Sequence, residues 1–422
     1  MVKPGYKQTE IGVIPEDWKI QYLSDFGDVI SGGTPSTTVS EYWDGDIAWC
    51  TPSDITSTMG KYIYKTDRNI THQGLKNSAA TILPPNSILL CTRATIGELK
   101  LSGVPMATNQ GFKNLCPNAT GNVDYLYYLL QTKKKDMVEL AIGSTFLEIS
   151  KKALCSIALQ TPSLPEQECI AEALSDVDSM ISSLEKLIAK KKAIRQGTVI
   201  EILTGKKRIK GFSGEWQIKK LEEYCSLITK QTGFDYSAYI KPALTKRKNN
   251  NTLPMIQTIN FRGKRFDFNT DYYIPKSVAE NFPNIILRNK CVLFSIVGAS
   301  VGNIGLYPGG VSFCGGAIGI TRFYEEDDAD WVYYYMSSPE GQAQIQYVTK
   351  GGAQATVTIA DIRNFSIPTP SKEERAAITE LLSDMDNEIE ALEQKLAKTR
   401  QIKQGMMQQL LSGSIRLMHK EV

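Results

Sequence analysis

Residues 161–209 read TPSLPEQECIAEALSDVDSMISSLEKLIAKKKAIRQGTVIEILTGKKRI, and residues 369–417 read TPSKEERAAITELLSDMDNEIEALEQKLAKTRQIKQGMMQQLLSGSIRL. With no gap, about 21 of these 49 positions are identical. The copies lie 208 residues apart in a chain of 422, so the protein reads as a tandem duplication. Each half is a globular block followed by one long helix. The expected segments are a block at 1–160, a central helix at 161–208, a second block at 209–368, and a helix with a tail at 369–422.

Ser163 with Glu166, and Ser371 with Glu374, have the spacing of capping boxes. Gly205 and Gly413 follow the last apolar residues and predict C-terminal caps. Each helix is then about 40 residues, roughly 60 Å long, a length that suggests a coiled coil. Ile170, Leu174, Val177, Ile181, Leu184 and Ile188 alternate by four and three, as do Ile378, Leu382, Met385, Ile389, Leu392 and Leu396. Both seams turn polar, at Lys191 and Thr399, and shift phase to Ile194 and Ile402, followed by Gly197 and Gly405, so both copies are expected to change their contacts at the same internal point. The simplest partner for each stripe is the other copy. Antiparallel pairing keeps the two large blocks apart, whereas parallel pairing crowds them at one end. The alternative is that each helix packs on its own block.

Apolar residues make up 42% of the chain, which suits globular blocks, and no apolar run reaches membrane-spanning length. The opening MVKPGYKQTEIG lacks the apolar core of a signal peptide. Eight cysteines occur singly with no CxxC pair, which predicts reduced thiols and a cytoplasmic protein rather than a disulfide framework or zinc site. With only His72 and His419, histidine chemistry and metal binding find little support. The net charge of +3 is small for a lone nucleic-acid binder. Basic residues nevertheless cluster at 133–135, 190–192, 206–208, 246–248 and 262–265, and several such runs together can follow phosphates.

The blocks open alike, with WKIQYL at 18–23 and WQIKKL at 216–221. A β-rich stretch at 88–97 (ILLCTRATIG) answers 293–302 (LFSIVGASVG), and helices are expected at 124–130 (DYLYYLL) and 330–336 (DWVYYYM). The fold class is therefore α+β. Between these anchors the blocks diverge. The first carries SGGTPS at 31–36 and ATNQGF at 107–112, and the second QTGFD at 231–235, QTINFR at 257–262 and CGGA at 314–317. One scaffold with two sets of polar loops suits the reading of two different targets.

No phosphate-binding loop, zinc-protease, serine-hydrolase or methyltransferase signature is present. Glu98-Leu-Lys100 with Asp54 upstream imitates a metal-dependent nuclease. The second half has Asn303-Ile-Gly305 there, so a chance match is the better reading. No catalytic residue and no metal site is assigned.

The chain resembles the specificity subunits of type I restriction-modification enzymes over nearly its whole length. The likeness rests on TEIGVIPEDW at 9–18, GGTPS at 32–36, the Thr/Ser-Ile/Val-Gly turns at 95–97 and 300–302, and the duplicated helix with Leu-Ser-Asp-x-Asp. The resemblance implies two target-recognition domains, each reading half of a bipartite, asymmetric site in double-stranded DNA. It also implies that the helices act as a ruler and dock two methyltransferase subunits, to which two motor and restriction subunits can be added. S-adenosylmethionine, ATP and Mg²⁺ would then belong to those partners, with no cofactor bound by this chain. A rod of roughly 60 Å matches about 17 base pairs of B-DNA.

On that reading the candidate DNA contacts in the first block are Thr34, Ser36, Arg93, Thr95, Asn109 and Gln110. In the second they are Lys230, Thr232, Arg262, Lys264, Arg265 and Ser300. Arg suits guanine, and Asn or Gln suits adenine. Trp49, Phe112 and Phe261 are read as core. Two other classes compete: a coiled-coil scaffold binding protein or glycan ligands, and a single-chain restriction enzyme, which the missing motifs disfavour.

Overall fold

A computed structural model of the chain describes residues 3–143, 147–231, 235–262, 264–350 and 355–417. The chain divides into two compact units, Met1–Leu187 with Leu392–Val422, and Ile188–Ala391.

In the first unit a five-stranded sheet runs in the order Gly27–Ser31, Lys113–Pro117, Ile88–Leu90, Leu99–Ser102, Tyr62–Ile63. A second sheet places Trp43–Cys50 between Met106–Thr108, its parallel neighbour, and the antiparallel Arg68–Ile70. The strand Lys19–Tyr22 pairs with Ala158–Thr161 just before the long helix. The predicted tyrosine-rich helix is Val123–Thr132, and its Tyr125, Tyr128 and Leu129 are buried.

The second unit repeats the plan. Cys225–Lys230, Ile318–Phe323, Cys291–Ser295 and Ile304–Tyr307 form one antiparallel sheet. Thr252–Ile256 lies parallel to Ser312–Cys314 in the other. Asp328–Met336 is the matching helix. The α+β expectation holds in both units. The eight cysteines are free thiols, and burial pushes Cys91 up to about 11 and Cys291 up to about 12. None of the helices among the described residues is long and apolar enough to cross a membrane.

The long helices are Leu164–Leu203 and Lys372–Leu411. In the first unit Asp178 pairs with Lys403 at 2.6 Å and Glu185 with Arg400 at 2.6 Å. In the second unit Lys191 pairs with Glu388 at 2.7 Å, and Arg195 pairs with Asp386. Numbers rise on one helix as they fall on the other, so the pairing is antiparallel in each unit. Ile170, Leu174, Leu184, Ile188, Ile378, Leu382 and Ile389 are buried, and Val177, Ile181, Met385, Leu392 and Leu396 are half-buried.

The alternative of packing on the blocks is also realised, at the outer turns. Ile170 and Leu174 join the first unit's core beside Leu410 and Leu411. Ile378 and Leu382 join the second beside Val199, Ile202 and Leu203. The expected shift of phase to Ile194 and Ile402 does not bury them. Ile194 is 46% exposed and Ile402 49%, while Thr399 is buried. Each comes six residues after a seam residue, Ile188 or Leu396, a step of about 120° round an α-helix, which turns those isoleucines outward.

Both C-terminal caps form, with Gly205 at φ 70° and Gly413 at φ 72°. The first adds a bond from Lys207 N to Glu201 O at 3.0 Å. The capping boxes need correction. Ser371 Oγ does accept from Glu374 N at 3.2 Å. The glutamates, however, do not reach back to the cap. Glu166 accepts from Trp18 Nε1 at 3.1 Å and from Arg416 at 2.6 and 2.7 Å. Glu374 does the same with Trp216, at 3.0 Å, and with Arg208, at 2.6 Å to each oxygen. An indole N–H and a guanidinium partly or wholly withdrawn from water need an acceptor more than a solvated helix start does.

Candidate nucleic-acid interface

In the first unit three distant loops converge. Gly32 N donates to Phe112 O at 3.3 Å and Gly33 N to Thr108 O at 2.9 Å. A Cβ at Gly32 would overlap the Asn109 carbonyl, so glycine is what lets 31–36 lie against 107–112. Two indoles fix the loop from beneath: Trp49 Nε1 donates to Gly33 O at 2.9 Å, and Trp43 Nε1 to Ser36 O at 3.0 Å. Trp49 and Phe112 are buried, as core residues should be.

Thr34 Oγ1 donates to the Gln110 amide oxygen, and Asn109 Oδ1 accepts from Gly111 N at 2.8 Å. Arg93 lies beside Gly111, its Cβ 3.9 Å from where a Gly111 Cβ would be. Ser36 is exposed and shares a 2.9 Å hydrogen bond with Thr38. Thr95 sits in the turn after Ala94 (φ 54°) with a buried hydroxyl that has no hydrogen-bond partner among the described residues. All six first-block candidates thus lie in three neighbouring loops.

Arg93 is also paired, with Glu148 at 2.6 Å, and Lys113 reaches the same carboxylate at 3.2 Å. Burial alone would raise Glu148, but the two cations hold it below the usual carboxylate range. Glu148 escaped the sequence reading because nothing near it in the chain signals a charge partner 55 residues away.

The second unit builds the same corner differently. Gly315 N bonds Ile256 O at 2.7 Å as Asn109 N bonds Cys50 O at 3.0 Å. Gln257 N donates to Asn260 Oδ1 at 2.8 Å where Thr51 N donates to Asp54 Oδ2 at 2.7 Å. Asp54 is therefore a structural cap. Its second oxygen takes Asp67 N at 2.8 Å, so both Asp54 oxygens serve the fold.

One register needs correction. Cys91 N bonds Glu98 O, and Ser295 N bonds Asn303 O, each at 2.9 Å. Arg93 bridges Glu148 as Val297 bridges Thr356. Ser295 thus matches Cys91 and Val297 matches Arg93. The second turn holds one extra residue, which an ungapped comparison of 88–97 with 293–302 misses.

Lys230, exposed at the end of its strand, and Ser300, hydrogen-bonded to Ser295 at 2.6 Å, lie at this corner. Thr232 lies outside the described residues. Arg262 ends the short strand Phe261–Arg262, beside the buried Phe261. Lys264 and Arg265 do not join the loops. The Lys264 ammonium donates to Ser383 Oγ at 2.7 Å and Tyr334 OH at 3.2 Å, and Arg265 approaches Glu390 at 3.7 Å. Both are turned to the C-terminal helix.

Lys264 has a counterpart in Lys61, which donates to Ser175 Oγ at 2.9 Å and Asp124 at 2.8 Å. Tyr128 OH donates to Asp178 at 2.7 Å and Tyr334 OH to Asp386 at 2.9 Å. The serine and second aspartate of the repeated Leu-Ser-Asp-x-Asp are therefore the seats on which each block rests. Spacing i and i+3 puts them on one helix face. Their repetition beside DYLYYLL and DWVYYYM was the signal available in the sequence.

The profile of the type I restriction modification DNA specificity domain matches residues 15–196 and again 213–401. The type I restriction enzyme MjaIX specificity subunit of Methanocaldococcus jannaschii is 40% identical over 183 residues, 43% of this chain and 42% of that relative, less than half its length. The MjaVIII specificity subunit of the same organism is 24% identical over 424 residues, 96% of this chain and 94% of that relative. The crystal structure of the type I restriction-modification S subunit from M. genitalium shares the fold with a TM-score of 0.58 at 14% identity, covering 97% of this chain and 98% of that one. The chain belongs to the family of type I restriction modification DNA specificity domains, and it carries two of them.

Proposed function

We propose that this chain is the specificity subunit of a type I restriction-modification complex and reads a bipartite, asymmetric site in double-stranded DNA, one half-site per globular unit. The observation that carries this reading is the shared corner of the two units: one backbone arrangement, with Thr34, Arg93, Asn109 and Gln110 in the first and Lys230, Gln257, Gly316 and Val297 in the second. Matching scaffolds with unlike side chains recognise unlike base sequences.

In this reading the paired helices set the spacer and dock two methyltransferase subunits, with motor subunits added where the complex also cuts. The chain performs no chemistry itself. S-adenosylmethionine, ATP and Mg²⁺ act on the partner subunits, which also supply phosphate contacts that a net charge of +3 provides sparingly.

The test is single-molecule sequencing of genomic DNA from a host co-expressing this chain with the methyltransferase encoded beside it. A split, asymmetric methylated motif with one fixed spacer is expected. Soluble, associated proteins that leave the genome unmethylated would refute the reading.

A further inference from the structure

Among its described residues the second unit holds a buried glutamine whose amide the fold does not use. Gln231 follows the strand Cys225–Lys230 and is 7% exposed. Neither its amide oxygen nor its amide nitrogen has a hydrogen-bond partner among the described residues. Buried amides without partners are rare in native proteins because each loses its hydration for nothing. Gln231 borders a cleft of about 590 Å³, lined also by Lys230, Gln257, Thr258, Val297 and Gly316. A Cβ at Gly316 would stand 4.0 Å from the Gln231 amide oxygen and meet nothing nearer, so glycine leaves the amide's side of the cleft open.

Continuing from the strand ends Ser31 and Lys230, Gln231 occupies the place that Gly32 takes in the first unit. There a side chain would overlap the Asn109 carbonyl. Gly315 stands in place of Asn109, and this corner carries a glutamine instead.

We propose that Gln231 is a specificity-determining residue of the second unit and that it takes the edge of an adenine in the DNA site. The inference rests on the function proposed above. A primary amide offers one acceptor and one donor side by side. Adenine answers both, with its N6 amino group and N7. Guanine presents two acceptors, cytosine a donor, and thymine an acceptor beside a methyl group, so each leaves half of the amide unpaired. The exposed Lys230 ammonium at the cleft mouth suits an adjacent phosphate.

The test uses the full chain in complex with its methyltransferase subunits. Gln231→Met keeps length and removes both hydrogen-bonding groups. Three readouts are taken: thermal unfolding without DNA, the methylation motif by single-molecule sequencing, and binding to the wild-type site against sites with single base changes. The melting temperature should stay level or rise, one adenine in one half-site should become degenerate, and affinity for the wild-type site should fall roughly 5- to 150-fold. Gln231→Glu, an acceptor only, should shift that position from adenine toward cytosine.

A wild-type motif with both variants' motifs unchanged overturns this proposal and leaves the functional reading standing. A lower melting temperature with an unchanged motif also overturns it, by showing an amide that serves the fold. A wild-type complex that methylates nothing overturns the functional reading and this proposal together.

Discussion

Replacing Glu166 with leucine tests whether the buried clamp, rather than a helix cap, holds the first helix to its block. Glu166 is 5% exposed in its side chain, and Arg416, its partner, is 25% exposed. The variant leaves the Trp18 N–H and one side of the Arg416 guanidinium without acceptors, while Asp17 still holds the other side at 2.7 and 2.9 Å. Breaking a fully buried pair costs about 3–5 kcal/mol. The partial exposure of Arg416 and its surviving bond to Asp17 reduce that to about 2–3 kcal/mol. For a unit of about 200 residues this lowers the melting temperature by about 4–12 °C. The assay is thermal unfolding of Glu166→Leu, Arg416→Leu and the double variant, followed by circular dichroism. The double variant should be less destabilised than the sum of the singles by at least about 1 kcal/mol. Singles that add within about 0.5 kcal/mol would refute the clamp, because residues that do not share an interaction behave independently. A cost near 1 kcal/mol for Glu166→Leu would instead fit an ordinary cap.

Asp54 and Asn260 occupy equivalent caps but are not interchangeable. Asp54 accepts from Asp67 N, whereas Asn260 Nδ2 donates to the carbonyls of Asp267 and Asn269. Asp54→Asn and Asn260→Asp should each cost about 1–3 kcal/mol in urea unfolding; neutrality of either would contradict the hydrogen-bond assignment. Glu148 is held below its ordinary value, so the stability it contributes is present above the unfolded carboxylate range and lost as pH falls through its lowered folded value. The melting difference between the wild type and Glu148→Gln should therefore be full at neutral pH and shrink as pH falls below the ordinary carboxylate range; a difference that grew with acid would reverse the sign. Matched four-residue deletions, one from each long helix between its clamps, remove about 6 Å and about 40° of rotation. The methylated motif should keep both half-sites and lose one or two base pairs of spacer; an unchanged spacer would end the idea of the helices as a ruler.

The duplication made much of this legible. A repeat written twice identifies the helices, their C-terminal glycine caps and the α+β blocks, because periodicity and glycine placement are local properties. The clamp partners were less legible. Glu166 carries the spacing of a capping box, and only the fold brings Trp18 and Arg416 to it from 148 and 250 residues away. Lys264 illustrates the opposite failure. A basic run suggests phosphate, yet its ammonium is used at Ser383, since a long cation close to a helix hydroxyl and a tyrosine ring finds partners there first. The one-residue insertion before Ser300 was hidden because glycine and small residues on both sides align equally well in either register.

The first unit is completed by the last part of the chain described. Ile170 and Leu174 share their core with Leu410 and Leu411, and the Tyr6 hydroxyl donates to Gly413 O at 3.0 Å. The second unit, by contrast, is one uninterrupted stretch, Ile188–Ala391. During synthesis the order of completion therefore reverses the order of translation: the later block has all its parts before the earlier one does. At roughly 5–20 residues per second, the apolar face around Leu174 waits roughly 10–50 s for its covering turn. Over that interval a nascent chain presents unburied isoleucine and leucine to solvent, and a chaperone that binds such faces has its natural opportunity there.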